Sequence, residues 1–183
     1  MTRILVAFYL AIVTCSLTIA QNSSHTKTKT ERDSWITFSS ELGLFSVKMP
    51  ETPTSRSETI DSERGQYSTH TFTASTPQSA FYVAWGEYDS SYNFFFVQPE
   101  LILNRDNFVK GVSGTLLTSK NLTIDGYQSL EFTAETAKRD YKGRVYMVGR
   151  RPYLVVVGTY KREDDSVNVN LFFESFKVKI AEP

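Results

Sequence analysis

The chain has 183 residues, with 20 Lys and Arg against 20 Asp and Glu, one Cys and an aromatic share of 14%. This length suits one domain with a sizeable core. A formal net charge of zero argues against a nucleic-acid-binding protein, which needs a basic surplus, and one Cys excludes an internal disulfide framework and a Cys-rich zinc site. We therefore expect no nucleic-acid partner and no cofactor.

The first twenty residues have the pattern of a signal peptide. Arg3 precedes a nearly uncharged apolar run, residues 4–20, which ends in small side chains of the kind that signal peptidase accepts. The alternatives are a transmembrane anchor, since about 17 apolar residues is the short end of a spanning helix, and a lipoprotein acylated at Cys15. Cleavage is favoured because the polar segment 21–33 carries no stop-transfer cluster, so we expect a Cys-free protein in the periplasm or medium, with no integral membrane segment.

Residues 21–33 mix Ser and Thr with Lys and Arg and have nothing to bury. This composition predicts a disordered polar tether. Residues 34–180 then read as a single α+β domain without internal repeats.

The first part of this domain shows the alternation of short strands. Residues 35–38 and 44–49 predict a hairpin, residues 54–65 a polar loop, and residues 66–74 and 80–88 two further strands. The last of these is apolar on both faces, which predicts a central strand that is covered on both sides.

The period changes after Pro99, where apolar residues follow a helical spacing to about residue 112. Strands resume at residues 116–124 and 127–137, and the Asp125-Gly126 pair between them is a strong hairpin signal.

Residues 144–148 and 153–160 predict another hairpin. The acidic residues 163–165 and Ser166 then precede a terminal helix, where they would cap its first turn, and a strand-like alternation closes the chain. The predicted fold class is α+β, a mostly antiparallel sheet of hairpins covered by two helices. An all-β barrel is the alternative, and it would leave the helix after Pro99 without an apolar surface to pack on.

Several stretches of the chain carry a family resemblance, namely Trp35–Phe38, Gly43–Pro50, Asn104–Asp106, Gly126–Tyr127 with Glu131–Phe132, Arg144–Gly149 and Phe172–Lys177. They resemble a set of exported bacterial proteins of uncharacterised function. Their order of elements is similar to the PsbP-like fold, which an extrinsic photosystem II subunit shares with a Ran-binding nuclear import factor. The resemblance covers roughly residues 35–178 and implies an exported α+β sandwich, but a shared fold implies no function.

This chain departs from the pattern at one point. Many of the exported proteins have Gly-Arg-Glu where this chain has Gln128-Ser129-Leu130-Glu131. A role of that Arg cannot be carried over.

Catalytic patterns are missing from the sequence. A Ser-His-acid triad needs a positioned His, and the chain offers only His25 in the tether and His70 within a strand. The carboxylates at 163–165 suit a helix cap better than a metal ion, and Glu87, Glu131 and Glu135 read as sheet-surface carboxylates rather than a glycosidase pair. We therefore predict that the protein is not an enzyme.

Two groups of residues are candidates for ligand or partner contact. Tyr92 and the run Phe94, Phe95 and Phe96 precede the helix as an aromatic lip for an apolar ligand or a partner. Arg150 and Arg151, at a hairpin tip, could meet an anionic partner, or could only discourage edge pairing as a solvated hairpin.

The sequence thus favours a non-catalytic, monomeric exported domain that contacts a protein or cell-envelope partner. The alternative is a carrier of a small apolar ligand, in a pocket between sheet and helix that Trp85, Tyr88 and Phe108 would line.

Overall fold

Ten strands and two helices follow one another in the described part of the chain, residues 34–90, 92 and 96–179 of a computed structural model. The elements are β1 (Ile36–Ser40), β2 (Phe45–Met49), β3 (Thr54–Ser62), β4 (Gly65–Ser75), β5 (Ser79–Tyr88), α1 (Val97–Gly111), β6 (Thr115–Ile124), β7 (Tyr127–Glu135), β8 (Arg139–Val148), β9 (Arg151–Tyr160), α2 (Ser166–Ser175) and β10 (Lys177–Val178). The predicted signal peptide and tether lie outside the described residues. No helix in these ranges is long and apolar enough to span a bilayer.

Seven strands form one antiparallel sheet in the order β3-β4-β5-β9-β8-β7-β6. Its central strands, β5 and β9, pair in a register that places Phe81 opposite Val157 and Val83 opposite Val155. Both strands are buried on both faces, as the unbroken apolar runs predict.

The two faces of this sheet are covered differently. On one face α1 packs Leu101, Phe108 and Val109 onto the sheet. The other face carries a second, three-stranded sheet, β1-β2-β10, together with α2. The expectation that two helices alone cover the sheet is therefore incomplete. The small sheet covers this face together with α2, and the apolar side chains of β2 are buried against the large sheet.

The α+β class and the antiparallel hairpins are confirmed. The barrel alternative is wrong, because the seven-stranded sheet stays open, with β3 and β6 at opposite edges, and α1 covers one face. Asp125 and Gly126 have φ angles of 50° and 83°, as the turn of the β6–β7 hairpin requires.

The polar loop predicted at residues 54–65 is wrong, since β3 pairs with β4 in register from Thr54 opposite Thr73 to Ser62 opposite Gly65. The strand lies at an edge and is mostly exposed, so it needs no apolar face, and its sequence shows no alternation of apolar and polar residues. Charged side chains such as Arg56 and Glu58 are what a solvent-facing edge strand uses to avoid pairing with other chains.

The start of α2 is capped by one of the acidic residues predicted to do so. Asp165 occupies the N-cap position without a side-chain capping bond. Instead, the backbone N–H of Ser166 donates to Asp164 Oδ1 at 3.0 Å. This hydrogen bond lowers the pKa of the Asp164 carboxyl group.

Candidate functional site

A cavity of about 630 Å³ lies between α1 and the part of the large sheet formed by β4, β5 and β9. Its volume falls within the range of small-molecule sites, roughly 300–1,000 Å³. The walls are mostly apolar, with Ala84 from β5, Leu103 from α1, and Pro152 and Leu154 from β9. The turn between β3 and β4 adds a polar rim.

Small residues in the sheet explain why the helix leaves a space here. Thr69 of β4 pairs with Gly86 of β5, and both line the cavity beside Ala84. Towards the other end of α1, the rings of Phe108 and Phe132 fill the corresponding space. The size of the side chains below the helix therefore decides where it packs closely and where it does not.

An ion pair between a buried carboxylate and a partly exposed arginine lies at the polar end of the cavity. Glu100, in the first turn of α1, is fully buried and accepts a charge-assisted hydrogen bond from Nη2 of Arg64. The hydroxyl of Tyr88 donates to Glu100 Oε2 at 3.2 Å, and Asn104 Nδ2 donates to the Glu100 carbonyl oxygen at 2.9 Å. Arg64 and Tyr88 thus compensate a carboxylate that water does not reach, while Asn104 satisfies the backbone carbonyl of the same residue.

Three tyrosine rings surround this ion pair. Tyr88 and Tyr92 stack at 4.0 Å between ring centroids, and Tyr67 meets both rings edge-on at 6.0 and 5.8 Å. The guanidinium of Arg64 lies 4.9 Å from the centroid of Tyr92. Burial raises the pKa of Tyr67 to about 12 and also raises the pKa values of Tyr88 and Tyr92, so all three phenols stay protonated near neutral pH.

The described residues of the aromatic segment before α1 differ in their exposure. Tyr92 is only 5% exposed and lines the cavity, whereas Phe96 is 72% exposed. Phe94 and Phe95 lie outside the described residues. A lip formed by the whole segment stays a prediction.

Of the three residues predicted to line a pocket between sheet and helix, two line the cavity and the third does not. Trp85 and Tyr88 contribute to the cavity lining, and Trp85 also joins the core on the opposite face of the sheet. Phe108 is not among the described lining residues and packs against Tyr82 and Phe132 instead.

Arg150, in the β8–β9 turn, and Arg151, the first residue of β9, both contact other parts of the chain. Arg150 donates to the carbonyl oxygens of Asp89 at 3.2 Å and Tyr92 at 2.9 Å, and so holds the segment that carries Tyr92. Arg151 donates to the Leu42 carbonyl at 3.0 Å, and its guanidinium lies 4.8 Å from the Trp85 ring centroid. An anionic partner at these arginines stays a prediction.

The remaining polar candidates have partners within the sheet. His70 stacks on Trp85 at 4.1 Å, with its Nδ1 2.7 Å from the Ser57 hydroxyl, and burial lowers its pKa.

Each of the three carboxylates considered for catalysis forms an ion pair: Glu87 with Arg151 at 3.3 Å, Glu131 with Arg144 at 2.8 Å, and Glu135 with Lys161 at 2.7 Å. Within the described ranges, no group of three or more His, Cys, Asp or Glu could hold a metal ion.

Sequence reasoning missed Arg64 and Glu100. An acidic residue in a first helical turn is common because it suits the helix dipole, so Glu100 gave no sign of special use. One signal was present: Glu100, Asn104 and Phe108 share one face of the helix at intervals of four residues, so the carboxylate points where the helix packs. Its partner comes from a turn 36 residues earlier, which no local pattern reports.

No protein-family model matches the chain, and no curated protein matches its sequence. Among solved structures, the chain is similar to the solution structure of cyanobacterial PsbP (CyanoP) from Synechocystis sp. PCC 6803, with a TM-score of 0.52 and 13% sequence identity. The likeness covers 85% of this chain and 98% of the other. It confirms the PsbP-like fold, and at this identity it shows the fold alone.

Proposed function

We propose that this protein is a non-catalytic, exported binding domain that holds a small, largely apolar ligand in the cavity between α1 and the sheet. The observation that carries the proposal is the cavity itself, about 630 Å³ with mostly apolar walls and a polar cluster at one end. Concave apolar sites with a few positioned polar groups are typical of small-molecule binding. The apolar run at residues 4–20 supports placing this function outside the cytoplasm.

The chemistry of the cavity supports binding rather than turnover. Asn104, Tyr88 and the Arg64–Glu100 pair can orient a ligand, and all four groups take part in bonds with one another. Ser57 and His70 are a hydroxyl and an imidazole within hydrogen-bond distance, but neither residue lines the cavity, and the His70 ring stacks on Trp85.

A pair of neighbouring residues on α1 allows a matched test. Leu103 lines the cavity and is 37% exposed, while Ile102 is 36% exposed and is not among the lining residues. We expect L103W to narrow the cavity and to lower the affinity for the neutral apolar probe N-phenyl-1-naphthylamine about tenfold or more, since filling a pocket removes the space that the ligand needs. I102W should leave the affinity unchanged.

The measurement is a fluorescence titration of the probe, with native mass spectrometry of the freshly purified protein to detect a retained small molecule. Equal affinity of both variants, with no retained molecule, would contradict the proposed site. Circular dichroism of both variants shows whether the fold is retained.

Contact with a protein or cell-envelope partner is the second candidate, and Phe96 favours it. This ring precedes α1 and is 72% exposed, so it offers apolar surface that a partner could cover. If it contacts a partner, F96S should abolish capture of that partner from an envelope extract while I102S, a similar polar change on α1, should not.

A further inference from the structure

We propose that the ligand is an organic cation, an amine or quaternary ammonium group on an apolar body. This inference rests on the proposed function and names the chemical class of the ligand for the same cavity. Three features carry it: the charge around the cavity, the state of the Arg64 guanidinium, and the wall formed by Tyr67, Tyr88 and Tyr92, called the tyrosine wall below.

Carboxylates dominate the charge at the cavity. Asp61, near the end of β3, and Glu63, on the β3–β4 turn, are both exposed and line its rim, and Glu100 lies buried behind Arg64. Arg64 is the one Lys or Arg among the described residues that line the cavity. Apolar walls of low polarisability focus such a field, so the local potential attracts cations and repels anions.

The guanidinium of Arg64 is a poor site for a ligand anion because it already neutralises Glu100. Drawing it towards a bound anion would leave a fully buried carboxylate without its cation, which is strongly unfavourable. A cationic ligand can bind without moving Arg64 away from Glu100. It can settle between the rim carboxylates and the tyrosine wall with the Arg64–Glu100 pair intact.

The tyrosine wall already holds a cation within the structure. The guanidinium of Arg64 lies 4.9 Å from the Tyr92 ring centroid, within the range of a cation–π contact. Tyr67 and Tyr88 line the same cavity. Burial raises the pKa of Tyr67 to about 12, so its ring remains a neutral phenol with an oxygen that can accept a hydrogen bond from an amine.

Three probes that share one apolar body separate charge from apolar binding: octyltrimethylammonium, octanoate and octan-1-ol, titrated into the purified protein by isothermal calorimetry. We expect the ammonium probe to bind most tightly and its affinity to fall as salt is raised, since salt screens the rim charges. D61N and E63Q should each weaken the ammonium probe by about 2- to 5-fold, the range for one exposed charge, and leave octan-1-ol unchanged. E174Q makes the same charge change on α2, beyond the opposite face of the sheet, and should alter none of the three affinities.

The outcomes distinguish this inference from the proposed function. If octan-1-ol or octanoate binds at least as tightly as the ammonium probe, and L103W blocks that binding, the cavity binds ligands but the cation class is wrong. If no probe binds and L103W has no effect on N-phenyl-1-naphthylamine, both proposals fail. If the ammonium probe binds but its affinity is unchanged in D61N, E63Q and L103W, it binds outside the cavity and the inference is overturned.

Discussion

Glu100 shows how one side chain can depend on the whole fold. Solvent does not reach its carboxylate, and its charge is balanced by Arg64 from a turn distant in the chain. The Arg64 side chain is 39% exposed, so water reaches the arginine side of the pair. The pair therefore joins the β3–β4 turn to α1 at the cavity.

Removing one member of this pair should be worse than removing both charges. We expect R64M to lower the free energy of unfolding by about 2–4 kcal/mol, because it leaves a buried charge without its cation. The double variant R64M/E100Q should recover at least half of that loss, since no buried charge then remains. Urea denaturation followed by circular dichroism measures both, and a double variant less stable than R64M would contradict this account.

At the scale of elements, the sheet places rings over glycines. Phe132 of β7 is opposite Gly143 of β8, and Tyr141 of β8 is opposite Gly158 of β9. A Cβ atom at Gly143 would lie 2.3 Å from Phe132 Cζ, and one at Gly158 would lie 2.6 Å from Tyr141 Cε1. The missing side chains thus provide the space into which the neighbouring rings pack.

We expect G143A to destabilise the protein by about 1–3 kcal/mol, because the added methyl group forces the fully buried Phe132 ring to move. The companion variant G143A/F132L removes the ring edge that the methyl group meets, and should lose less than the two single changes added together. Thermal unfolding of the four proteins gives the coupling. Additive losses would show that the ring and the glycine do not interact.

The elements differ in how far local sequence determines them. The Asp125-Gly126 turn and the two-sided β5 are set by backbone preference and by apolar content, and both were predicted correctly. The edge strand β3 is specified by pairing with β4 alone, so its polar sequence reads as a loop. The cavity was anticipated only as a space between sheet and helix, because its charged pair depends on tertiary contacts.

At the scale of the molecule, Phe45 joins the two sheets. It is fully buried on β2, and its ring contacts Phe72 and Tyr153 of the large sheet and Phe176 beyond α2. The small sheet therefore packs as part of the main core and not as a separate unit.

We expect F45A to lower the free energy of unfolding by about 3–5 kcal/mol, the cost of deleting a buried ring. F96A, the same substitution at a ring that is 72% exposed, should change it by less than about 0.5 kcal/mol. Chemical denaturation of both variants makes the comparison. A loss for F96A as large as that for F45A would mean that the exposed ring is packed in solution.

The pairing of β5 with β9 has a kinetic consequence. Strands β3 to β5 and β6 to β9 each pair with sequence neighbours, whereas β5 and β9 meet across α1 and three intervening strands. Closing this seam has the largest loop-closure entropy of any pairing in the seven-stranded sheet, so we expect it to form late and to limit the folding rate. Because Ala84 and Leu154 line the cavity from the two sides of the seam, a bound molecule would span it and slow unfolding rather than speed folding.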